Sequence, residues 1–118
     1  IDGGDFTGAN LREAYLACAN MPRAKLRMTC LSEADLTFAD LTGADAEGAQ
    51  FERANLSEAI LRGVNFRHAK MAGCNLTKAD LREADLRGCD LTDAILDGAD
   101  LTDAKLPDDF AAPSTPAP

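Results

Sequence analysis

From Phe6 to Leu106 the sequence places its central residue at every fifth position, twenty-one times without insertion or slip. That residue is Leu fifteen times, Phe three times and Met twice, and it is small only at Ala46. No ordinary element has this period. A helix advances about 100° per residue, so residues five apart face directions about 140° apart. A strand alternates sides at every residue, so an odd spacing throws successive large residues to opposite sides.

The other slots narrow the answer. Two residues before the centre stands Ala in sixteen of twenty-one repeats, and Gly4, Thr29, Val64, Cys74 and Cys89 are small too. Between the small residue and the centre stands Asp or Asn in thirteen repeats. After the centre come mostly Thr, Ser, Arg or Glu, then Gly or a charged residue. Small, polar, large is one short alternation: in, out, in. The two residues that follow suit a turn. If each turn bends inward, every centre points to one shared axis. Identical turns of about 90° give four sides and a coil of about 20 residues, stacked through parallel backbone hydrogen bonds about 4.8 Å apart. The expected fold is all-β: a solenoid of about five coils around a column of Leu and Phe, with Ala in the corners. Period alone leaves a triangular coil open. An Ala/Leu-rich helical bundle finds no support, because no stripe of period 3.6 is present.

The pattern A-(D/N)-L-x-x, as in ADLRE at 79–83 and ANLSE at 54–58, resembles the pentapeptide-repeat family over residues 4–106. The resemblance implies a right-handed quadrilateral parallel β-helix. It divides the chain into a repeat domain at 1–106 and a C-terminal cap with a Pro/Ala-rich tail or linker at 107–118. Much of the family is known only as interaction modules. The quinolone-resistance type are acidic dimeric rods that imitate duplex DNA and bind DNA gyrase.

Stacking positions 20 apart gives further expectations. In the column Phe6, Leu26, Ala46, Phe66, Leu86, Leu106, the residue leaning into the space beside Ala46 should be Phe66. On the outside, Lys25 should pair with Asp45, Glu47 with both Arg27 and Arg67, and Asp85 with Lys105.

Net charge is −8, which excludes a general binder of nucleic acid or of anionic membranes. The charge is banded along the chain. Residues 14–32 hold three bases and no acid, and residues 33–58 hold seven acids and one base. Residues 59–79 hold four bases, the single His68 and no acid, and residues 80–109 hold ten acids and three bases.

No catalytic, metal or cofactor site emerges. His68 is alone, so neither a His-based triad nor a multi-His site can be built. The acids Asp90, Asp93, Asp97, Asp100 and Asp103 follow the repeat and turn to different sides, unlike a calcium loop. No phosphate-binding loop is present. Cys18, Cys30, Cys74 and Cys89 show no CxxC pair and no His partner at metal spacing and read as small, wholly or partly buried thiols, with a disulfide or a redox or metal role as the alternatives. No apolar run is long enough to span a membrane. The start at Ile1 reads as a processed form or an excised domain, and the compartment stays open, with the cytoplasm favoured.

Outward apolar residues are few: Tyr15, Met28, Phe38, Ile60 and Ile95. Tyr15, Cys18, Phe38 and Ile95 belong to one side that carries little charge, and they form the expected contact face for an unidentified protein or for a homodimer. An uncapped end is the other dimer surface. The expected function is a non-catalytic interaction or scaffold module. The resemblance supplies the alternative, an acidic DNA mimic that binds gyrase. Ice binding has only a short ladder, Thr37, Ser57 and Thr77.

Overall fold

The structure, a computed structural model, describes residues 2–110. The Pro/Ala-rich tail expected beyond them lies outside the described residues.

Each outward residue before a centre pairs in parallel with the residue 20 positions on, from Asp5 with Lys25 to Asp85 with Lys105. One coil therefore takes four repeats, and the triangular alternative falls. The two shorter dimensions of the molecule are nearly equal, 24 and 23 Å. The four faces are identified by their inward columns. The first carries Leu26, Ala46, Phe66 and Leu86; the second Leu31, Phe51 and Met71; the third Leu36, Leu56 and Leu76; the fourth Leu41, Leu61 and Leu81. All of these are buried.

Backbone hydrogen bonds account for four of the five amides in an interior repeat. In the repeat centred on Leu36, the amides of Leu36 and Phe38 donate to Asn55 and Ser57 on the next coil, at 2.8 and 3.1 Å. The amide of Asp40 donates back to Ala19 on the preceding coil at 2.8 Å, and that of Ala39 closes the turn on the Leu36 carbonyl at 3.0 Å. The fifth amide, one residue after the centre, has no backbone acceptor.

The turn has a conformational cost. Its third residue lies at positive φ in every repeat, while its second does not, which is the signature of a type II turn. Glycine fills eight of these positions, but thirteen hold other residues at φ between 56° and 63°, including Phe38, Met28 and His68. The left-handed region costs an L-residue roughly 1 kcal/mol. The coil geometry imposes that conformation because only this turn brings the next small residue back to the interior. At some glycines an exposed side chain of the preceding coil also leans over the turn and would have to move for a larger residue. A Cβ at Gly88 would lie 2.5 Å from His68 Nδ1, and one at Gly48 would lie 2.6 Å from Met28 Sδ.

The core is continuous from Met21 to Cys89. Ala46 is fully buried, and the two rings that neighbour it, Phe51 in chain order and Phe66 in the stack, meet edge to face with centroids 5.6 Å apart. Thr29 takes a corner usually given to Ala, and its hydroxyl donates to the Phe6 carbonyl at 2.7 Å, so burial leaves it satisfied. Near the ends the column is less covered: Phe6, Leu11, Leu16, Leu91, Leu96 and Leu101 are only partly buried. Leu106 departs from the expected pattern and is 37% exposed. Pro107 interrupts the repeat there and is itself buried. The Pro107 carbonyl accepts from the Phe110 amide at 3.1 Å, and Phe110 borders a cleft with Leu91, Leu96 and Pro107, so it covers the last coil only in part.

Turn strain is separable from packing at two sites. A Cβ at Gly63 meets nothing within 4 Å, so Gly63→Ala adds strain without a clash. It should lower stability by about 1 kcal/mol in urea unfolding. Glu83→Gly should raise stability by about 0.5–1 kcal/mol, because it removes the strain at φ 62°. Equal stability of both variants and the parent would contradict this account of the turn.

Candidate interaction face

The residue just before each centre faces outward, and its chemistry depends on the fifth amide. Asp or Asn in this slot turns a carboxylate or amide oxygen to the backbone amide two residues on. Asp35 accepts from Thr37 N at 3.0 Å, Asn55 from Ser57 N at 3.0 Å and Asn75 from Thr77 N at 3.0 Å. These are Asx turns. A Thr two residues on adds its hydroxyl to the same oxygen, as Thr37 does on Asp35 at 2.6 Å. An Arg there closes a bidentate pair: Arg82 on Asp80 at 2.9 and 2.7 Å, and Arg87 on Asp85 at 2.9 and 2.7 Å.

These local bonds rearrange the expected ion pairs. Arg27 reaches both Asp45 and Glu47 at 3.5 Å, so its vertical pair forms. Asp45 meets Lys25 only through the backbone bridge. Glu47 accepts from Asn65 Nδ2 at 3.4 Å instead of pairing with Arg67. Asp85 pairs with Arg87 rather than Lys105, because an Arg two residues on lies on the same outer surface of the same repeat. The Arg87 hydrogen bond is also the main reason the Asp85 carboxyl is held down to about 2, with the Lys105 charge a smaller contribution. Hydrogen bonds from Thr or Arg likewise hold Asp5, Asp35, Asp80, Asp90 and Asp100 below the usual range.

The third face differs from its neighbours. Its outward ladder before the centres is Tyr15, Asp35, Asn55, Asn75 and Ile95, joined by consecutive bridges. The ladder after the centres runs Ala17, Thr37, Ser57 and Thr77, with no charge until Asp97. The turn ladder is Cys18, Phe38, Glu58, Lys78 and Gly98. Tyr15 is 81% exposed, Phe38 55% and Ile95 44%. Cys18 is also exposed, and its amide donates to the Thr37 carbonyl at 2.8 Å, beside Phe38. The structure thus gathers Tyr15, Cys18 and Phe38 within two coils. Ile95 shares their face and the Tyr15 ladder but stands four bridges away. Ile60 lies on the fourth face and Met28 against Gly48 at the edge of the first.

Chemistry elsewhere is sparse. Among the described residues, no group of three or more His, Cys, Asp or Glu is placed to hold a metal ion. Cys74 and Cys89 are buried, and burial pushes the Cys89 thiol up to about 12 and the Cys74 thiol higher still. No helix is long and apolar enough to cross a membrane among the described residues.

The sequence profile described as pentapeptide repeats matches in eight copies, over residues 2–33, 29–71 and 69–107. The chain belongs to the pentapeptide-repeat family. Among solved structures it is similar to a pentapeptide repeat protein from the thylakoid lumen of Arabidopsis thaliana, at 34% identity and a TM-score of 0.73, covering 91% of this chain and 71% of that one. It is also similar to the pentapeptide repeat protein Rfr23 from the cyanobacterium Cyanothece 51142, at 27% identity and a TM-score of 0.75, covering 89% of each chain. No curated protein matches the sequence significantly. These neighbours establish the pentapeptide-repeat β-solenoid. The Asx bond gives the family pattern a physical reading here: the D/N slot supplies the acceptor that the backbone lacks.

The lowered aspartates make stability depend on acid. A carboxyl whose folded value is depressed contributes fully above the ordinary aspartate value near 4, and the contribution is lost as pH falls through the folded value. The urea midpoint should therefore hold from pH 7 to 5 and fall between about pH 4 and 2, the lower bound set by Asp85. A midpoint unchanged down to pH 2 would show that these bonds do not stabilise the fold.

Proposed function

We propose that this chain is a non-catalytic protein-interaction module, a right-handed rod of about five coils that presents its third face to a protein partner. The observation that carries the reading is the exposure of Tyr15 and Phe38, 81% and 55%, beside an uncharged ladder of small residues. The neighbouring ladder of Ala17, Thr37 and Ser57 carries small, uncharged side chains. Aromatic side chains beside such a ladder bury much area on contact at low entropic cost. Tyr15 also forgoes the Asx bond, worth about 1 kcal/mol, that Asp or Asn would make at its position.

A second reading, an acidic mimic of duplex DNA acting on gyrase, has the net charge of −8 in its favour. Against it stands the stretch 59–79, with four bases and no acid, where a duplex mimic needs continuous negative charge.

Tyr15→Asp combined with Phe38→Asp should lose the protein that the parent rod retains from native extract. Met28→Asp combined with Ile60→Asp, on other surfaces, should keep it. Retention by the first variant removes the third face from consideration. In a DNA supercoiling assay the rod should leave gyrase uninhibited, and inhibition would reverse the order of the two readings.

A further inference from the structure

We infer that the third face pairs with the third face of a second copy, with the rods antiparallel and Tyr15 of each copy lying on Ile95 of the other. The inference rests on the reading of this face as the interaction surface.

The placement of the apolar residues leads to it. Along the ladder Tyr15, Asp35, Asn55, Asn75, Ile95, the three middle residues make the Asx bond. Only the two end residues replace it with an apolar side chain. They stand about 19 Å apart, four steps of about 4.8 Å. One partner contact around Tyr15 would not reach Ile95, which stands at the rim of the cleft beside Phe110. A two-fold contact uses both, because in an isologous interface a residue away from the dyad meets a different residue of the other copy, and that residue meets it in return.

A face can meet itself about two dyads lying in the contact plane. With the dyad along the rod, the chains run parallel and the two outer ladders of the face exchange places. That sets the Asp35 carboxylate against the Phe38 ring and Tyr15 against Cys18. With the dyad across the rod at Asn55, each ladder meets its own reverse. Tyr15 then covers Ile95 twice and Asn55 meets Asn55. The Phe38 ring meets the Lys78 ammonium twice, a cation–π contact. Lys78 has no ion pair of its own among the described residues, and Gly98 opposite Cys18 leaves room. The unfavourable contacts are Glu58 against Glu58 and the Asp97 carboxylate against Ala17, where it has no partner. The antiparallel arrangement therefore matches the apolar and cationic residues of the face, and the parallel one does not.

Its size sets its strength. A side of five residues spans at most about 17 Å and the ladder is roughly 20 Å long, so the contact buries on the order of 300 Å² per copy, below the usual size of specific contacts. The pair should be weak and dependent on concentration.

Crosslinking tests the register. The exposed thiol of Cys18 and the half-buried one of Cys30 are first removed by Cys18→Ser and Cys30→Ser. Cysteine is native to the same slot at Cys30, so the slot accepts it. Facing sheets lie about 10 Å apart, within reach of a short bismaleimide. Asn55→Cys alone should crosslink to a dimer. Tyr15→Cys alone should not, but mixed with Ile95→Cys it should. In sedimentation equilibrium, Glu58→Gln should tighten self-association several-fold and Tyr15→Ser with Ile95→Asn should abolish it. Self-crosslinking of Tyr15→Cys, or none of Asn55→Cys, overturns the antiparallel pair. If the rod stays monomeric while Tyr15→Asp with Phe38→Asp still loses its extract partner, self-pairing fails and the interaction face stands. If neither effect appears, both fail.

Discussion

One backbone amide in each repeat decides much of this molecule. A five-residue side leaves four amides bonded to backbone carbonyls and turns the fifth outward with none in reach. An Asp or Asn two residues earlier supplies the acceptor, as Asp40 does for Thr42 at 2.9 Å. The same bond fixes the start of the turn, and the turn fixes where the next small residue enters the interior. Once the carboxylate is committed inward to the amide, the residue two on is drawn to it as well. Thr92 and Thr102 add their hydroxyls, and Arg82 and Arg87 add their guanidinium groups. The outer surface is therefore organised by bonds within single repeats more than by ion pairs between coils.

Stacking supplies what those local bonds cannot. Each coil is held to its neighbours by parallel backbone hydrogen bonds and by the leucine column, so an interior repeat depends on the coils above and below it. This dependence lets the chain tolerate left-handed turns at thirteen residues that are not glycine. The local strain is of order 1 kcal/mol per site, and three inter-coil bonds per repeat with a buried Leu outweigh it. At Ala46, the one small centre, the core holds the rings of Phe51 and Phe66, which neighbour it in chain and stack and meet edge to face.

Much of this was legible in the residues. The unbroken spacing of centres from Phe6 required a shared axis, and the small residues at positions such as Ala24 and Ala54 marked its corners. The coil of about 20 residues was expected but not fixed by the period, because five residues per side suits several polygons; the bridge from Asp5 to Lys25 bears it out. The inward use of Asp and Asn was hidden too. Their alternation with buried residues reads as simple exposure, and nothing in composition tells a solvated carboxylate from one bonded to an amide. That is why Asp85 pairs with Arg87 in its own repeat and not with Lys105 one coil away. Leu106 kept the spacing but lost its burial, since position on an axis matters only where a coil closes around it.

The third face follows from the same amide. Wherever the slot is not Asp or Asn, the chain gives up a bond that the repeat is built to make, so the substitution has to be weighed against that loss. For Lys70 or Gln50 the replacement stays polar and the hydration of the slot changes little. For Tyr15 and Ile95 the chain loses the acceptor and also exposes apolar area, two unfavourable changes at both ends of one ladder. An isolated rod gains nothing from that combination. A contact that buries both side chains recovers the apolar area, and a two-fold contact recovers it at both ends at once. The length of the ladder then becomes a specificity element, because only a partner with the same rise per coil can engage Tyr15 and Ile95 together.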